Sequence, residues 1–246
     1  MMATKLLLIE LTKLKRSQAL LMTFLCPLSI VGLQFLMVLE RGGRVVAEKG
    51  WISYWYGVTN LWYMLMLPLF VALITTLINA TEHRSNGWRF MATMPVKRWQ
   101  LFVVKAFISW LCIGFAVALM YLFASASILC LILIGYEATT PFSAPFVFDL
   151  PKVMLSIVPI VVIGHIVSWL FSSIVLPLVI GITMTVIAVT VANSTYWLYD
   201  PWTYHLAVTL FSYDDSSNLA SIWGGVFGLT LLSVGATILN KRDIVD

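Results

Sequence analysis

The chain has 246 residues, of which 61% are apolar and 11% charged, and its net charge is +4. A soluble domain carries about 25% charged residues, and a soluble fold of this length has too little interior to hide so much apolar surface, so the composition excludes a water-soluble protein and makes lipid the solvent. The basic residues are confined to particular loops, which excludes a nucleic-acid-binding surface; Cys26, Cys112 and Cys130 lie in apolar stretches with no CxxC or metal-ligand spacing, and read as small apolar filler rather than a disulfide framework.

Over residues 3–17, Leu7, Leu11 and Leu14 fall on one helical face and Lys5, Thr12 and Arg16 opposite, with Ile9 as an exception. This predicts a short amphipathic helix lying on a membrane surface. A cleaved signal peptide is the alternative, but the apolar stretch that follows is too long and no small-residue cleavage site is apparent.

Six apolar stretches follow, near 19–39, 55–79, 101–134, 153–172, 174–194 and 219–239. A crossing needs about 20 residues. The expected fold is an all-α membrane protein of six transmembrane helices, a single transmembrane domain over 1–246. The third stretch is too long for one crossing and is expected to extend out of the membrane or bend at its outer end. The fourth and fifth nearly touch around Phe171-Ser172-Ser173, and Pro159 and Pro177 inside them are candidate kinks. Gly224 and Gly228 in the sixth make a small-xxx-small pair that permits close helix packing.

Charge orients these stretches. Lys5, Lys13, Lys15, Arg16, Arg84, Arg89, Lys97, Arg98, Lys105, Lys241 and Arg242, eleven of the fifteen basic residues, fall on one side of a six-span chain. Arg41, Arg44, Lys49 and Lys152 fall on the other, where the last loop carries Asp200, Asp214 and Asp215 without Lys or Arg. The asymmetry predicts both termini and residues 80–100 in the cytoplasm. Trp51, Tyr54, Trp55 and Tyr56, and Tyr196, Trp197, Tyr199, Trp202 and Tyr204, read as interfacial anchors rather than an aromatic ligand box.

No catalytic, cofactor or metal site is legible. A GxxxxGK[ST] phosphate loop, HExxH and GxSxG are all missing, so the chain is expected to be no enzyme and to bind no ATP. Asp214-Asp215, beside Ser216, Ser217 and Asn218, reads as a solvated loop rather than a metal site. No Asp, Glu, Lys or Arg lies in the middle of a span, where proton-coupled carriers generally need a relay. His165 has two readings, a substrate or proton contact, or a histidine bonded to a neighbouring helix; the second is favoured. The chain reads as a transport pathway whose energy must come from a partner.

The informative loop is 82–99. Ser85-Asn86-Gly87 offers a turn or N-cap and Pro95 disfavours helix at Met94. Between them Trp88, Phe90, Met91, Ala92 and Met94 share one helical face, with Glu82, Ser85, Asn86, Arg89 and Thr93 on the other. Such a helix suits docking into a partner's groove or lying in the headgroups; the physics leaves the two close to even.

The pattern Glu82…Asn86-x-Trp88-Arg89…Pro95-x-Lys97/Arg98…Lys105 resembles the coupling segment of ABC-2 type exporter permeases, most closely the branch that includes the lantibiotic-immunity permeases. The layout is similar along the whole chain, and Asp200-Pro201-Trp202 is similar to their outer loop. The broader family often has a Gly-Thr pair where this chain has Asn86-Gly87-Trp88. The resemblance implies a permease subunit of an ATP-driven exporter in the bacterial inner (cytoplasmic) membrane. It implies a second permease, identical or paralogous, and two separate ABC ATPase subunits that hold ATP and magnesium. It implies an amphipathic peptide antibiotic as cargo, exported for immunity, and an ATPase-coupling role for Glu82, Asn86, Trp88, Arg89, Met91, Met94, Pro95, Lys97 and Arg98. The alternatives are an ABC-2 exporter of a lipid, drug or glycan, and a non-transporting membrane scaffold or sensor subunit.

Overall fold

The computed structural model describes residues 2–15, 17–84, 97–137, 139–142, 150–210 and 216–241. Among them there is no strand. Helix α1 spans Met2–Leu14, α2 Gln18–Glu40, α3 Arg44–Lys49 and α4 Ile52–Leu61. A π-turn at Trp62–Met66 carries α4 into α5, Leu67–Arg84. Then come α6 (Arg98–Leu133), α7 (Leu150–Ser156), α8 (Val158–Leu170), α9 (Val175–Val191), α10 (Tyr204–Thr209) and α11 (Ser216–Lys241). Two short 3-10 turns, Trp197–Tyr199 and Pro201–Thr203, lead into α10.

Each of the six apolar stretches is helical, as hydrocarbon demands: a backbone without water must satisfy its N–H and C=O groups internally. The α2, α4–α5, α6 and α11 helices are long and apolar enough to cross a membrane, and α7 with α8 makes a fifth span if the bent pair is taken as one. At 17 residues, α9 is shorter than the other candidates.

The long third stretch extends rather than bends. Helix α6 runs unbroken for 36 residues, about 54 Å at 1.5 Å per residue, against a hydrocarbon core of about 30 Å. Pro159 does mark a bend, of 41° between α7 and α8 at Ile157. Pro177 does not: it lies in the first turn of α9, where a missing N–H forfeits no intrahelical bond.

The glycine pair packs within the chain, against the α7–α8 break. A Cβ on Gly224 would come within 2.5 Å of the Ser156 backbone, and one on Gly228 within 2.5 Å of the Val158 side chain. Helix α11 can approach the bent span this closely only because both positions lack side chains.

The α4–α5 span is the most enclosed of the four long ones. It packs against α2, α6, α8 and α9, with Trp62, Tyr63, Phe70, Ile74, Ile113 and Met120 in the core. This corrects the reading of several aromatics as surface anchors. Trp51, Tyr54, Trp55, Trp202 and Tyr204 are buried against protein. Their polar tips find partners there: Trp51 Nε1 donates to the Glu137 carbonyl at 2.8 Å, and Trp55 Nε1 to that of Pro141 at 3.0 Å. Tyr56, Tyr196 and Tyr199 are exposed. The Asp214-Asp215 pair, Arg242 and most of the coupling segment lie outside the described residues.

Candidate functional site

The loop expected to carry coupling leaves α5 and re-enters the bundle at α6. Polar side chains on the last turns of α5 and the first turns of α6 hold both ends of it. On α5, Thr75, Asn79, Glu82 and His83 recur at three- and four-residue spacing, which stacks them along one face. On α6, Lys105 lies two turns inside the helix and its side chain is 1% exposed.

Four charges close a ring. Lys13 Nζ donates to Glu10 Oε1 at 2.6 Å and to Glu82 Oε1 at 3.0 Å. Lys105 Nζ donates to Glu10 Oε2 at 2.7 Å and sits 2.9 Å from Glu82 Oε2, an ion pair without good hydrogen-bond alignment. Each lysine therefore bridges both carboxylates. Glu10, Glu82 and Lys105 are buried while the Lys13 side chain stays 39% exposed; taking the three buried charges out of water is costly, and the mutual attraction offsets that cost only because the charges balance and each finds two partners. Burial pushes the Glu10 carboxyl up, but Lys105 and Lys13 outweigh it and hold Glu10 below the ordinary carboxylate value of 4.5. Burial likewise pushes Lys13 down, and Glu10 and Glu82 outweigh it, leaving its ammonium above 10.5.

The ring recruits α1. Leu7, Leu11 and Leu14 are partly buried against the core, as their spacing predicts, while Leu8 and Ile9 face outward. Glu10 shares the buried side, which sequence reasoning missed although the signal was there: it stands three residues after Leu7 and four before Leu14.

Beside the ring a second polar group ties α5 to α8 and α6. His165 Nε2 lies 3.0 Å from the Phe102 carbonyl, which makes Nε2 the donor. Its Nδ1 then accepts from Asn79 Nδ2 at 2.9 Å. Asn79 also donates to Ser168 Oγ at 2.7 Å, and Ser168 Oγ to the Thr75 carbonyl at 3.1 Å. His83 Nε2 donates at 3.1 Å to the carbonyl of Ser168, one of the last four of α8 and so without an intrahelical partner. His165 is fully buried with both ring nitrogens engaged. It has the helix-bonding role favoured from sequence.

Of the expected coupling residues, Glu82 is a member of the ring. Lys97 caps α6, its backbone N–H accepted by the Gln100 side chain at 3.3 Å, and Arg98 opens the first turn. Asn86, Trp88, Arg89, Met91, Met94 and Pro95 lie outside the described residues.

These helices define a polytopic α-helical membrane protein in which the loop between α5 and α6 is clamped at its base to an N-terminal helix. A family model described as "ABC-2 family transporter protein" matches residues 6–190, a stretch that includes all four members of the ring, and the chain belongs to that family. It is a membrane transport component rather than a catalytic enzyme, and membership implies an ABC ATPase as partner. No curated protein and no solved structure matches the chain.

Proposed function

We propose that the chain is the permease subunit of an ATP-driven exporter and crosses the membrane six times. In this reading both termini and the 82–99 loop are cytoplasmic, and α1 lies along the inner leaflet. The bent α7–α8 pair is the fourth crossing and α9 the fifth; its 17 residues reach the lower end of the usual range of about 17–25. The Lys/Arg asymmetry supports the orientation. A second permease, identical or paralogous, completes the membrane unit, and two ATPase subunits dock from the cytoplasm.

The observation that carries the mechanism is the ring of Glu10, Lys13, Glu82 and Lys105. A loop that transmits a push needs a stiff base. The ring ties the exit of the second span, the entry of the third and α1 together, so force delivered to the loop reaches three helices at once. His165, Asn79 and Ser168 extend the tie to α8. The ATPases supply the work by closing on ATP; the chain supplies the lever.

The cargo we propose is an amphipathic peptide antibiotic, removed from the membrane for immunity. Its support is the resemblance of the Asn86-x-Trp88-Arg89 pattern to the immunity branch. The test is to co-purify the chain with its operon-encoded ATPase, reconstitute the complex in liposomes and add a fluorescent cationic amphipathic peptide. ATP-dependent clearance of the peptide from the bilayer is expected. Lipid or glycan movement in its place would replace the cargo, and failure to bind any ATPase would overturn the permease reading.

A further inference from the structure

Helix α2 carries a carboxamide where hydrocarbon gives it no partner. Gln34 stands six residues before the end of α2, about 9 Å inside the span, flanked by the exposed Leu33 and Leu36. Its side chain is half-buried and makes no hydrogen bond among the described residues. An amide taken from water without a partner is costly. The packing nonetheless makes room for it: a Cβ on Gly57 of α4 would strike the Gln34 carboxamide, so the amide lies over bare backbone of the second span.

Two turns further on, the same face of α2 presents Arg41. A basic residue at a helix end often serves the last carbonyls. Here two glycines do so. Gly42, at φ +58°, turns the chain; its N–H donates to the Leu39 carbonyl at 3.0 Å, and that of Gly43 to the Val38 carbonyl at 3.0 Å. A Cβ on Gly43 would strike Tyr136, so the chain doubles back into α3 only because that position has no side chain. The Arg41 guanidinium is left exposed, with no ion pair or hydrogen bond among the described residues. Gln34 and Arg41 line one cavity of about 60 Å³, with Met37, Val46 and Tyr54 among its walls and no acidic side chain. One water needs roughly 10–15 Å³, so the cavity has room for a small polar group. It lies at the end of a span, where lipid headgroups lie, and Leu33 and Leu36, each next in sequence to a lining residue, face outward.

We propose that this cavity binds the headgroup of one phospholipid. Arg41 pairs with the phosphate, as a guanidinium does best, Gln34 donates to an ester carbonyl beneath it, and the acyl chains lie along Leu33 and Leu36. The lipid thus supplies the partners that the protein withholds from both side chains. The inference needs α2 to cross the bilayer and is independent of the exporter reading.

The experiment uses the full chain, purified in a maltoside detergent and stripped of lipid. Dioleoyl phosphatidylglycerol, whose headgroup carries no cation to compete with Arg41, is titrated in. Native mass spectrometry counts the lipids retained, and the thermal midpoint reads their effect. One firmly held lipid and a rising midpoint are expected. Arg41→Gln, at an exposed position, should fold as the parent does and weaken that binding roughly tenfold, the loss of one hydrogen-bonded charge pair. Gln34→Leu should match or exceed the parent's midpoint without lipid, because the unmet amide is gone, and should gain less when lipid is added. A lower lipid-free midpoint with an undiminished gain would show that the amide only packs against α4, and would overturn its role as a ligand. Dioleoylglycerol has the chains and esters without the phosphate and should raise the midpoint far less; an equal rise would overturn the phosphate contact. Glycerol 3-phosphate has the phosphate without the chains; an equal rise there would show a site for free anions and overturn the lipid assignment. Retention of the lipid by both variants at the parent's level would overturn the proposal outright.

Discussion

Glu10 and Lys105 meet at 2.7 Å although 95 positions separate them. The contact places an acidic side chain of the N-terminal helix against a lysine whose side chain is 1% exposed. Neither could be there alone, since an uncompensated buried charge is far more costly than a pair. The ring must therefore be read as a unit of two positive and two negative charges.

That unit sets the first prediction. Lys105→Met leaves Glu10 and Glu82 facing Lys13 alone and should destabilise the protein by about 3–5 kcal/mol, the cost of breaking a buried pair. Lys105→Met combined with Glu10→Gln keeps the Lys13–Glu82 pair and restores charge balance, so it should be milder than Lys105→Met alone. The check is the thermal midpoint of each purified variant in detergent. Additive losses in the double variant would show that the four groups do not act together.

The second prediction is a pH window. Glu10 is held below 4.5, so its contribution is complete above that value and is lost as pH falls through the lower folded-state pKa. Lys13 is held above 10.5, so its contribution is complete below that value and is lost as pH rises through the higher one. The docking of α1 should thus be insensitive to pH between roughly 5 and 10 and fail in acid. Proteolysis or cysteine labelling of α1 across a pH series reads this directly. Release of α1 near pH 6–7 would contradict the assignment.

The spans were legible because lipid leaves one solution, a long apolar helix, and 61% apolar composition leaves few places to hide its ends. The partners of the polar groups were not. Glu10 shares a stripe with Leu7 and Leu14, so its burial was readable, but nothing local says that Lys105 waits on the other side. Trp51 and Trp55 misled for a related reason. An amphipathic ring suits a headgroup layer and also suits a buried site with a carbonyl nearby, and the carbonyls of Glu137 and Pro141 are 86 residues away in sequence. The π-turn was likewise hidden, although Pro68 marks the position where a regular helix loses a donor.

The third prediction separates two neighbouring glycines. Gly224→Val would drive a side chain into the backbone of Leu155 and Ser156, at 2.5–2.7 Å from the first added carbon. Overpacking of this kind typically costs about 1–3 kcal/mol, and here the obstacle is backbone that cannot rotate away. Gly225→Ala meets its nearest neighbour, the Leu155 side chain, at an ordinary 3.7 Å, and alanine favours helix over glycine by about 1 kcal/mol. Thermal midpoints should fall for the first and hold or rise for the second. Equal effects would mean that α11 does not sit against the α7–α8 break.

The last prediction concerns the loop that the ring supports. Trp88→Ala, and Met91→Asp together with Met94→Asp, should leave insertion intact and uncouple ATP hydrolysis from transport. These residues lie between the spans, so the hydrocarbon has no claim on them. Their apolar face in the sequence has no use in water and must cover something. If it enters an ATPase groove, a large aromatic such as Trp88 is the expected hot spot, costing about 2 kcal/mol or more on truncation, roughly a thirty-fold loss of affinity. Aspartates at Met91 and Met94 add the cost of desolvating charge on that same face. Arg89→Ala should be milder, as a charge at a solvated rim contributes little. Lys97, exposed at the start of α6, belongs to the same expected coupling set, and Lys97→Ala should be mild for the same reason. If the face instead rests in the headgroups, the same apolar changes should loosen the loop from lipid and leave ATPase binding intact. Co-purification of the ATPase with each variant at matched expression decides between the two, with transport measured alongside. Full retention of both by Trp88→Ala and by the double aspartate variant would falsify the coupling assignment.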